Sequence, residues 1–321
     1  MTISVALCTF NGAKFLETQL KSILAQTTPV DEIVVCDDGS TDDTIKIITE
    51  FKNKYPALIS FNRNDTPLRV IKNFEKAISL CKGDIIFLSD QDDVWKNKKV
   101  ERVVEYFQNN PSYLGAFTDA ELIDDSENPL NTTIWDILSF KEFAKDKMDI
   151  FKYLVFHGNV VTGACLAIKK EAKPLILPFK LITDNLHDAF IALKLAEHNQ
   201  LGVITEPLIQ YRLHSSQQTN VLKKIGRLHE NEVKTSIIKG NAATHPLDYY
   251  RYWKRRMAIL QGMVIDGFVV EKQLIEEITK ERKKGLLALL KTYSFTKKKR
   301  NLFKLWLNRQ EKIRLHDCIF C

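Results

Sequence analysis

Through residue 90 the chain alternates short apolar runs with amphipathic stretches, and this alternation constrains the fold more than any other feature. The runs "ISVALC" (3–8), "EIVVCDD" (32–38), "ALISFN" (57–62) and "DIIFLSD" (84–90) are too short for buried helices and rich in β-branched residues, so they read as strands. Between the first two, "AKFLETQLKSILAQ" (13–26) places Phe15, Leu16, Leu20, Ile23 and Leu24 at helical spacing. "STDDTIKIITEFKNKY" (40–55) predicts a helix capped by Ser40 or Thr41 with acids in its first turn. "VIKNFEKAISLCKG" (70–83) predicts a third helix closing on Gly83. Alternating elements with short connections build a doubly wound, mostly parallel α/β sheet with helices on both faces. Ligands of such sheets bind beyond the carboxyl ends of the strands. The loops "CTFNG", "CDDGSTDD" and "SDQDD" all fall there.

Further along, a helix is expected around 96–109, a strand at 113–124, and a strand with a Gly-Ala break at 160–170. A helix with an acidic start follows at 187–199, then a strand-like stretch at 201–214 interrupted by Pro207. Near residue 220 the texture changes to dense Lys and Arg at helical spacing. The chain therefore divides into an α/β domain, 1–220, and a helical basic region, 221–321. Residues 1–221 carry 24 Lys+Arg against 30 Asp+Glu, whereas residues 222–321 carry 23 against 10. A tail of that sign favours an anionic partner.

The loops at the strand ends carry the chemistry. "SDQDD" crowds Asp90, Asp92 and Asp93 after an apolar strand, where like charges repel unless a cation sits among them. Asp90 and Asp92 are two apart and face the same way in an extended segment. Hard oxygen ligands of this kind suit Mg²⁺ or Mn²⁺ bridging to phosphates; a solvated turn is the alternative. Asp37-Asp38 closes the second strand, where a carboxylate can accept from a base N–H or a ribose hydroxyl, or simply serve turn chemistry. Asp188, in the first turn of its helix, is either a dipole partner or a general base. Arg212 and His214 are also two apart and can meet a diphosphate or a metal. The first turn reads "CTFNGAKF", without G-x-G-x-x-G, and no Walker loop is present, so dinucleotide and P-loop chemistry are not expected.

In order and in combination, "SVALCTFNGAKFLETQLKSILAQT", "EIVVCDDGSTDDT", "NFEKAISLCKGDIIFLSDQDDVW", "VTGACLAIKK", "HDAFIAL" and "EPLIQYRLHSSQ" resemble the family 2 inverting glycosyltransferases. Within that family the chain is similar to the bacterial rhamnosyltransferase-like branch. The resemblance covers roughly residues 2–220 and implies a GT-A fold using nucleoside-diphosphate sugars, dTDP-rhamnose or a UDP-hexose. It implies that Asp38 recognises the base or ribose in a pocket lined by Cys8, Thr9 and Asn11. It places Asp90 and Asp92 at the D-x-D positions, Asp93 as loop support, Gly163 and Ala164 in the floor near donor and acceptor, and Asp188 as the catalytic base. His214 falls where the metal or diphosphate site is completed, with Arg212 beside it on the donor. The segment "NDTPLRV" departs from the Gly-rich chemistry of many relatives and leaves Arg69 and Lys72 without an assigned role. The absence of "QxxRW" implies transfer of a single sugar rather than polymerisation.

These features set the remaining expectations. Met1 leads into "TISVALCTF" without a basic or long apolar leader, so a cytoplasmic protein with reduced thiols is expected, at the inner face of the plasma membrane if the tail binds lipid. The tail combines Leu302, Phe303, Leu305 and Trp306 with Lys and Arg, which suits an interfacial helix near a lipid-linked saccharide acceptor; a helical cap is the other reading. "CIFC" at 318–321 lacks the second pair of a zinc site. No nucleic-acid module is recognisable, so no nucleic-acid partner is expected. A sugar-nucleotide pyrophosphorylase would need a Gly-rich basic first loop, and a non-catalytic nucleotide-sugar or membrane-surface module would tolerate loss of Asp92 and Asp188, both of which are present.

Overall fold

A computed structural model of the chain describes residues 1–145, 149–180, 186–215, 217, 246–265, 268, 270 and 272–292. The chain divides into two compact units, residues 1–151 with 159–226, and residues 152–158 with 227–321.

In the first unit β1 (Ile3–Thr9), β2 (Glu32–Asp37), β3 (Ile59–Arg63) and β4 (Ile85–Ser89) form the parallel half of one sheet. Helices α1 (Ala13–Leu24), α2 (Thr44–Lys54) and α3 (Arg69–Leu80) connect them. β1 and β4 are buried along their whole length, as expected of strands covered on both faces. After the two-residue β5 (Val94–Trp95) come α4 (Lys99–Asn109), β6 (Gly115–Ile123), β7 (Pro129–Thr133), α5 (Ile134–Ile137) and α6 (Ile150–His157). Then follow β8 (Leu166–Lys169), α7 (Lys173–Ile176), α8 (His187–Glu197) and β9 (Leu201–Arg212). The strand order is β3-β2-β1-β4-β8-β6-β9-β5, with β7 beside β6. β8 runs antiparallel to both β4 and β6, so the sheet is mixed.

Three local expectations are corrected. α2 begins at Thr44 with Asp43 at its N-cap, because Ser40 and Thr41 are taken up in the preceding loop. α3 ends at Leu80 with Cys81 extended; Gly83 instead lies against β1, where a Cβ would come within 2.6 Å of Ser4 Oγ. Pro207 does not interrupt β9: the strand continues, and the register against β6 shifts between Thr118 and Asp119, which pairs with Pro207. A bulge absorbs the missing N–H. The Gly-Ala break at 163–164 is a 3₁₀ turn, Gly163–Cys165, that leads into β8.

The second unit contains α9 (Pro246–Ile265) and α10 (Lys272–Thr292) together with the end of α6. Trp253, Leu260 and Met263 of α9 and Leu274 and Ile278 of α10 are buried. Trp253 meets Phe156 edge-on at 5.4 Å, and Tyr252 Oη donates to Phe156 O at 2.7 Å. Among the described residues no helix is long and apolar enough to cross a membrane. The expected amphipathic stretch at 297–315 and the Cys318–Cys321 pair lie outside the described residues.

Candidate active site

The site forms where β1, β2 and β4 end side by side. The register pairs Thr9 with Asp37 and Leu7 with Ser89, so the loops that follow these strands emerge together. The buried Asp37 carboxylate organises the first two loops: it accepts from Thr9 Oγ1 at 2.9 Å, from the N–H groups of Gly39 and Ser40, and from Ser40 Oγ. Cys8 and Thr9 are buried at this end of β1. Asn11 is exposed at φ 48°, its Oδ1 accepting from Thr41 N at 2.8 Å. Asp38 accepts from Asn64 Nδ2 (2.8 Å), Leu68 N (2.6 Å) and Arg69 N (2.8 Å), which ties the β3–α3 loop to the pocket. Arg69 itself has φ 62°, a conformation that costs energy in a non-glycine residue and is held here by the Asp38 bond. Lys72 pairs with Glu75 at the surface.

The acidic loop is held from three sides. Gln91 bonds Phe10 through both main-chain groups, its Oε1 accepting from Phe10 N at 2.8 Å and its Nε2 donating to Phe10 O at 3.0 Å. Beneath, α1 supplies Gln19 against Ser89 Oγ (2.8 Å) and Ser22 Oγ, which accepts from Trp95 N (3.0 Å), and just past its end Gln26 Oε1 accepts from Val100 N (3.0 Å). From the far end of β9 come Arg212 and His214. His214 Nε2 lies 2.9 Å from Asp92 Oδ2. Arg212, 1% exposed, donates from Nε to Asp92 O (2.9 Å), from Nη1 to the carbonyls of Asp124 and Asp125, and from Nη2 to Glu127 (3.1 Å). Its backbone N–H reaches Asp93 Oδ1 at 3.1 Å. The guanidinium expected to meet a diphosphate is thus engaged by the protein, clamping the acidic loop to the β6–β7 turn.

The electrostatics are those of acids without enough counter-charge. Burial, and then the charges of Asp92 and Asp188, push the Asp90 carboxyl up to about 8, against a smaller opposing effect of Lys99. Burial pushes Asp93 upward too, and its Oδ2 has no hydrogen-bond partner among the described residues. Lys99, 1% exposed, is driven down to about 7 by burial despite Asp93 and Asp90 nearby. Its Nζ donates to Ala164 O at 2.8 Å and lies 3.7 Å from the Trp95 ring centroid. It thereby ties the start of α4 to the 3₁₀ turn of Gly163, and Gly163 lies against His187 and Asp188. Asp188 sits half-buried in the first turn of α8, its Oδ1 accepting from Ala189 N.

The donors fit a divalent cation. Carboxylate oxygens and one imidazole are suitable ligands, and the unpartnered Asp93 oxygen and the raised Asp90 mark a place where positive charge is missing. Among the described residues no three His, Cys, Asp or Glu side chains stand together as a set that could by itself hold a metal ion, so a cation here would rest on one or two of them. Mg²⁺ characteristically takes only one or two carboxylates and completes its shell with water and phosphate oxygens.

Sequence reasoning brought Asp38, Asp90, Asp92, Asp188, Gly163 and His214 to one end of the sheet. It did not single out Gln19 and Ser22 of α1 or Gln26 just after it, nor Gln91 and Lys99, nor His187 as a packed group. A signal existed for two of these. Gln19 and Ser22 are polar residues inside the apolar face of an amphipathic helix, which call for buried partners.

The chain is similar to known proteins across this region. Residues 4–172, just over half of the chain, match the family model described as "Glycosyl transferase family 2". An uncharacterized glycosyltransferase of Nostoc sp. is 27% identical over 241 residues, covering 73% of this chain and 71% of its own. The dTDP-rhamnosyl transferase RfbG of Shigella flexneri is 35% identical over 103 residues, 31% of this chain and 36% of its own. The fold is similar to that of S. aureus TarS 1–349 in complex with UDP, with TM-score 0.54 and 15% identity over 93% of this chain and 73% of that one. It is equally similar to the mannosyltransferase PcManGT of Pyrobaculum calidifontis in complex with GDP-Man and Mn²⁺, with TM-score 0.54 and 15% identity over 88% and 80%. The expected GT-A sheet is borne out, and the chain belongs to glycosyl transferase family 2.

Proposed function

We propose that the chain is a metal-assisted, inverting transferase that moves one sugar from a nucleoside diphosphate sugar to a saccharide hydroxyl in surface polysaccharide assembly. The observation that carries this reading is the convergence at one end of the sheet of the Asp92–His214 pair, Asp90 and Asp188, with Asp188 near enough to raise the pKa of Asp90. Asp38 would accept from the base or ribose beside the Asn64, Leu68 and Arg69 donors that it already holds, with Cys8, Thr9 and Asn11 at the same strand end. Asp92, with Asp90 or His214, would hold Mg²⁺ or Mn²⁺ against the diphosphate. A cation there supplies Lewis-acid stabilisation of the charge that grows on the leaving group. Arg212 keeps Asp92 in place through its main-chain carbonyl. The Asp188 carboxylate takes the proton of the acceptor hydroxyl as that oxygen attacks the anomeric carbon from the face opposite the diphosphate. A single displacement inverts the centre. General-base assistance of this kind contributes about 10²–10⁴-fold.

For the donor, the similarity to a dTDP-rhamnosyl transferase supports dTDP-rhamnose, and the UDP complex of a fold neighbour supports a UDP-hexose. The charge of the region after residue 221 supports a peripheral place on an anionic membrane, where a lipid-linked acceptor would lie. Deleting residues 285–321 is expected to weaken binding to anionic vesicles; unchanged binding would leave the tail without that role. The reading of the active site is tested by mixing purified protein with dTDP-rhamnose, UDP-glucose, UDP-galactose, UDP-N-acetylglucosamine and GDP-mannose, with and without Mn²⁺. Metal-dependent binding or cleavage of one donor is the expected outcome. A protein that binds none of them under either condition is not acting on this class of substrate.

A further inference from the structure

Gln91 stands between Asp90 and Asp92, yet its side chain leaves the acidic loop. Its Oε1 accepts from Phe10 N at 2.8 Å and its Nε2 donates to Phe10 O at 3.0 Å. An amide side chain carries an acceptor and a donor, so it can take both main-chain groups of a single residue. Two such bonds fix the orientation of that residue as well as its distance. Both are exposed, so water can replace them and they add only modestly to the stability of the fold. What they supply is the placement of one loop against another.

The sequence makes room for this contact. A Cβ at Gly12 would lie 2.1 Å from Gln91 Oε1 and 2.3 Å from its Cδ, and the three nearest atoms it would meet all belong to that amide. The backbone of Gly12 does not itself call for glycine, since its φ of −105° is open to any residue. Residue 12 thus lacks a side chain where the Gln91 amide lies. The same segment is held on its other side by the loop after β2 and the first residue of α2. Asn11 N donates to Ser40 Oγ at 2.9 Å, Gly12 N to Thr44 Oγ1 at 2.8 Å, and Thr41 N to Asn11 Oδ1 at 2.8 Å. Residues 10–12 therefore lie between the loop that carries Asp38 and the loop that carries Asp90 and Asp92, and Gln91 is their tie to the second.

We propose that Gln91 is a positioning residue that couples the two halves of the donor site, holding the acidic loop at the distance from residues 10–12 at which one nucleoside diphosphate meets both the Asp38 pocket and the cation. The proposal rests on the glycosyl-transfer reading above. Gln91 touches neither the nucleotide nor the ion. It acts on the coupling between them, the factor by which Mn²⁺ strengthens nucleoside diphosphate binding and, by linkage, the nucleotide strengthens Mn²⁺ binding.

The test measures binding of UDP, dTDP and GDP by calorimetry, with Mn²⁺ and with EDTA, for wild type, Gln91→Ala, Gly12→Ala and the double variant. Mn²⁺ binding without nucleotide is followed by electron paramagnetic resonance. Gln91→Ala removes the amide; Gly12→Ala keeps it and pushes it off Phe10. Each is expected to bind Mn²⁺ alone, and nucleotide in EDTA, as wild type does. The strengthening of nucleotide binding by Mn²⁺ is expected to fall by about 2- to 10-fold, the worth of a neutral hydrogen bond or two. The double variant is expected to lose no more than Gln91→Ala, because both substitutions act through one contact. An unchanged Mn²⁺ effect in folded Gln91→Ala overturns the proposal. So does an equal loss of nucleotide binding with and without Mn²⁺, or a loss of Mn²⁺ binding without nucleotide. If Gln91→Ala does not fold, Gly12→Ala decides by the same readings. A wild-type protein that binds none of the three nucleotides overturns the transfer reading itself, and one whose nucleotide binding ignores Mn²⁺ overturns its metal; both are distinct from variants that match a metal-responsive wild type.

Discussion

His214 Nε2 stands 2.9 Å from Asp92 Oδ2, across 122 residues of sequence. Arg212, two residues earlier, donates to the main-chain carbonyl of the same aspartate. The end of β9 thus fixes both the side chain and the backbone of Asp92, the residue proposed to hold the cation. Losing the imidazole, proposed as one of the groups that hold the ion, is expected to lower divalent-ion affinity by at least the ~10–100-fold that loss of a mere supporting partner costs. Titration of Mn²⁺ into wild type and His214→Ala, followed by electron paramagnetic resonance, measures it; equal affinities would remove His214 from the site.

Arg212→Ala is expected to act on stability before chemistry. It removes the donor of three part-buried bonds, to the carbonyls of Asp92, Asp124 and Asp125, of which Asp124 O keeps a bond from Glu127 N. The loss should be about 2–3 kcal/mol in urea unfolding, in the range for buried groups deprived of partners. A change under 0.5 kcal/mol would mean that water replaces the guanidinium freely.

The buried His187 gives a pH signature. Its pKa falls from 6.5 to about 4 on folding, so between these values the unfolded chain binds the proton and the folded chain does not. Stability from this residue is complete above pH 6.5 and is lost as the pH falls toward 4. Melting curves across that window should show a steeper acid loss in wild type than in His187→Phe. Parallel curves would mean that the ring is protonated or hydrated in the folded state.

Gly163→Ala forces a Cβ to within 2.8 Å of an imidazole nitrogen. Overpacking of this kind costs about 1–3 kcal/mol, and chemical denaturation of the variant reads it directly. No loss of stability would show that the His187 ring swings aside without strain.

Most of the framework could be read from residues 3 to 90, because each strand there is short, apolar and closed by a turn residue. The acids of the site were legible for the same reason: Asp38 and Asp90 interrupt apolar periodicity where a strand must end. What the sequence concealed was who holds them. Gln19 and Ser22 stand out as polar residues on the apolar face of α1, but only the packing of α1 under the acidic loop names their partners. Arg212 resembles a phosphate ligand by type and spacing. Its guanidinium is turned to protein carbonyls by the β6–β7 turn, a partner 85 to 88 residues away that no local pattern encodes. Gly83 was legible as a glycine but not as a contact, since it precedes β4 and its close neighbour Ser4 lies on β1.

The division of labour between Asp92 and Asp188 is the centre of the account, and it separates binding from chemistry. The direct measurement is nucleotide-sugar binding and nucleoside diphosphate release in wild type, Asp92→Ala and Asp188→Asn, each with Mn²⁺ and with EDTA. The predicted result is metal-dependent binding and release in wild type, loss of both in Asp92→Ala, and retained binding with release lowered about 10²–10⁴-fold in Asp188→Asn. Release by Asp188→Asn at the wild-type rate, or full turnover by wild type in EDTA, would contradict it.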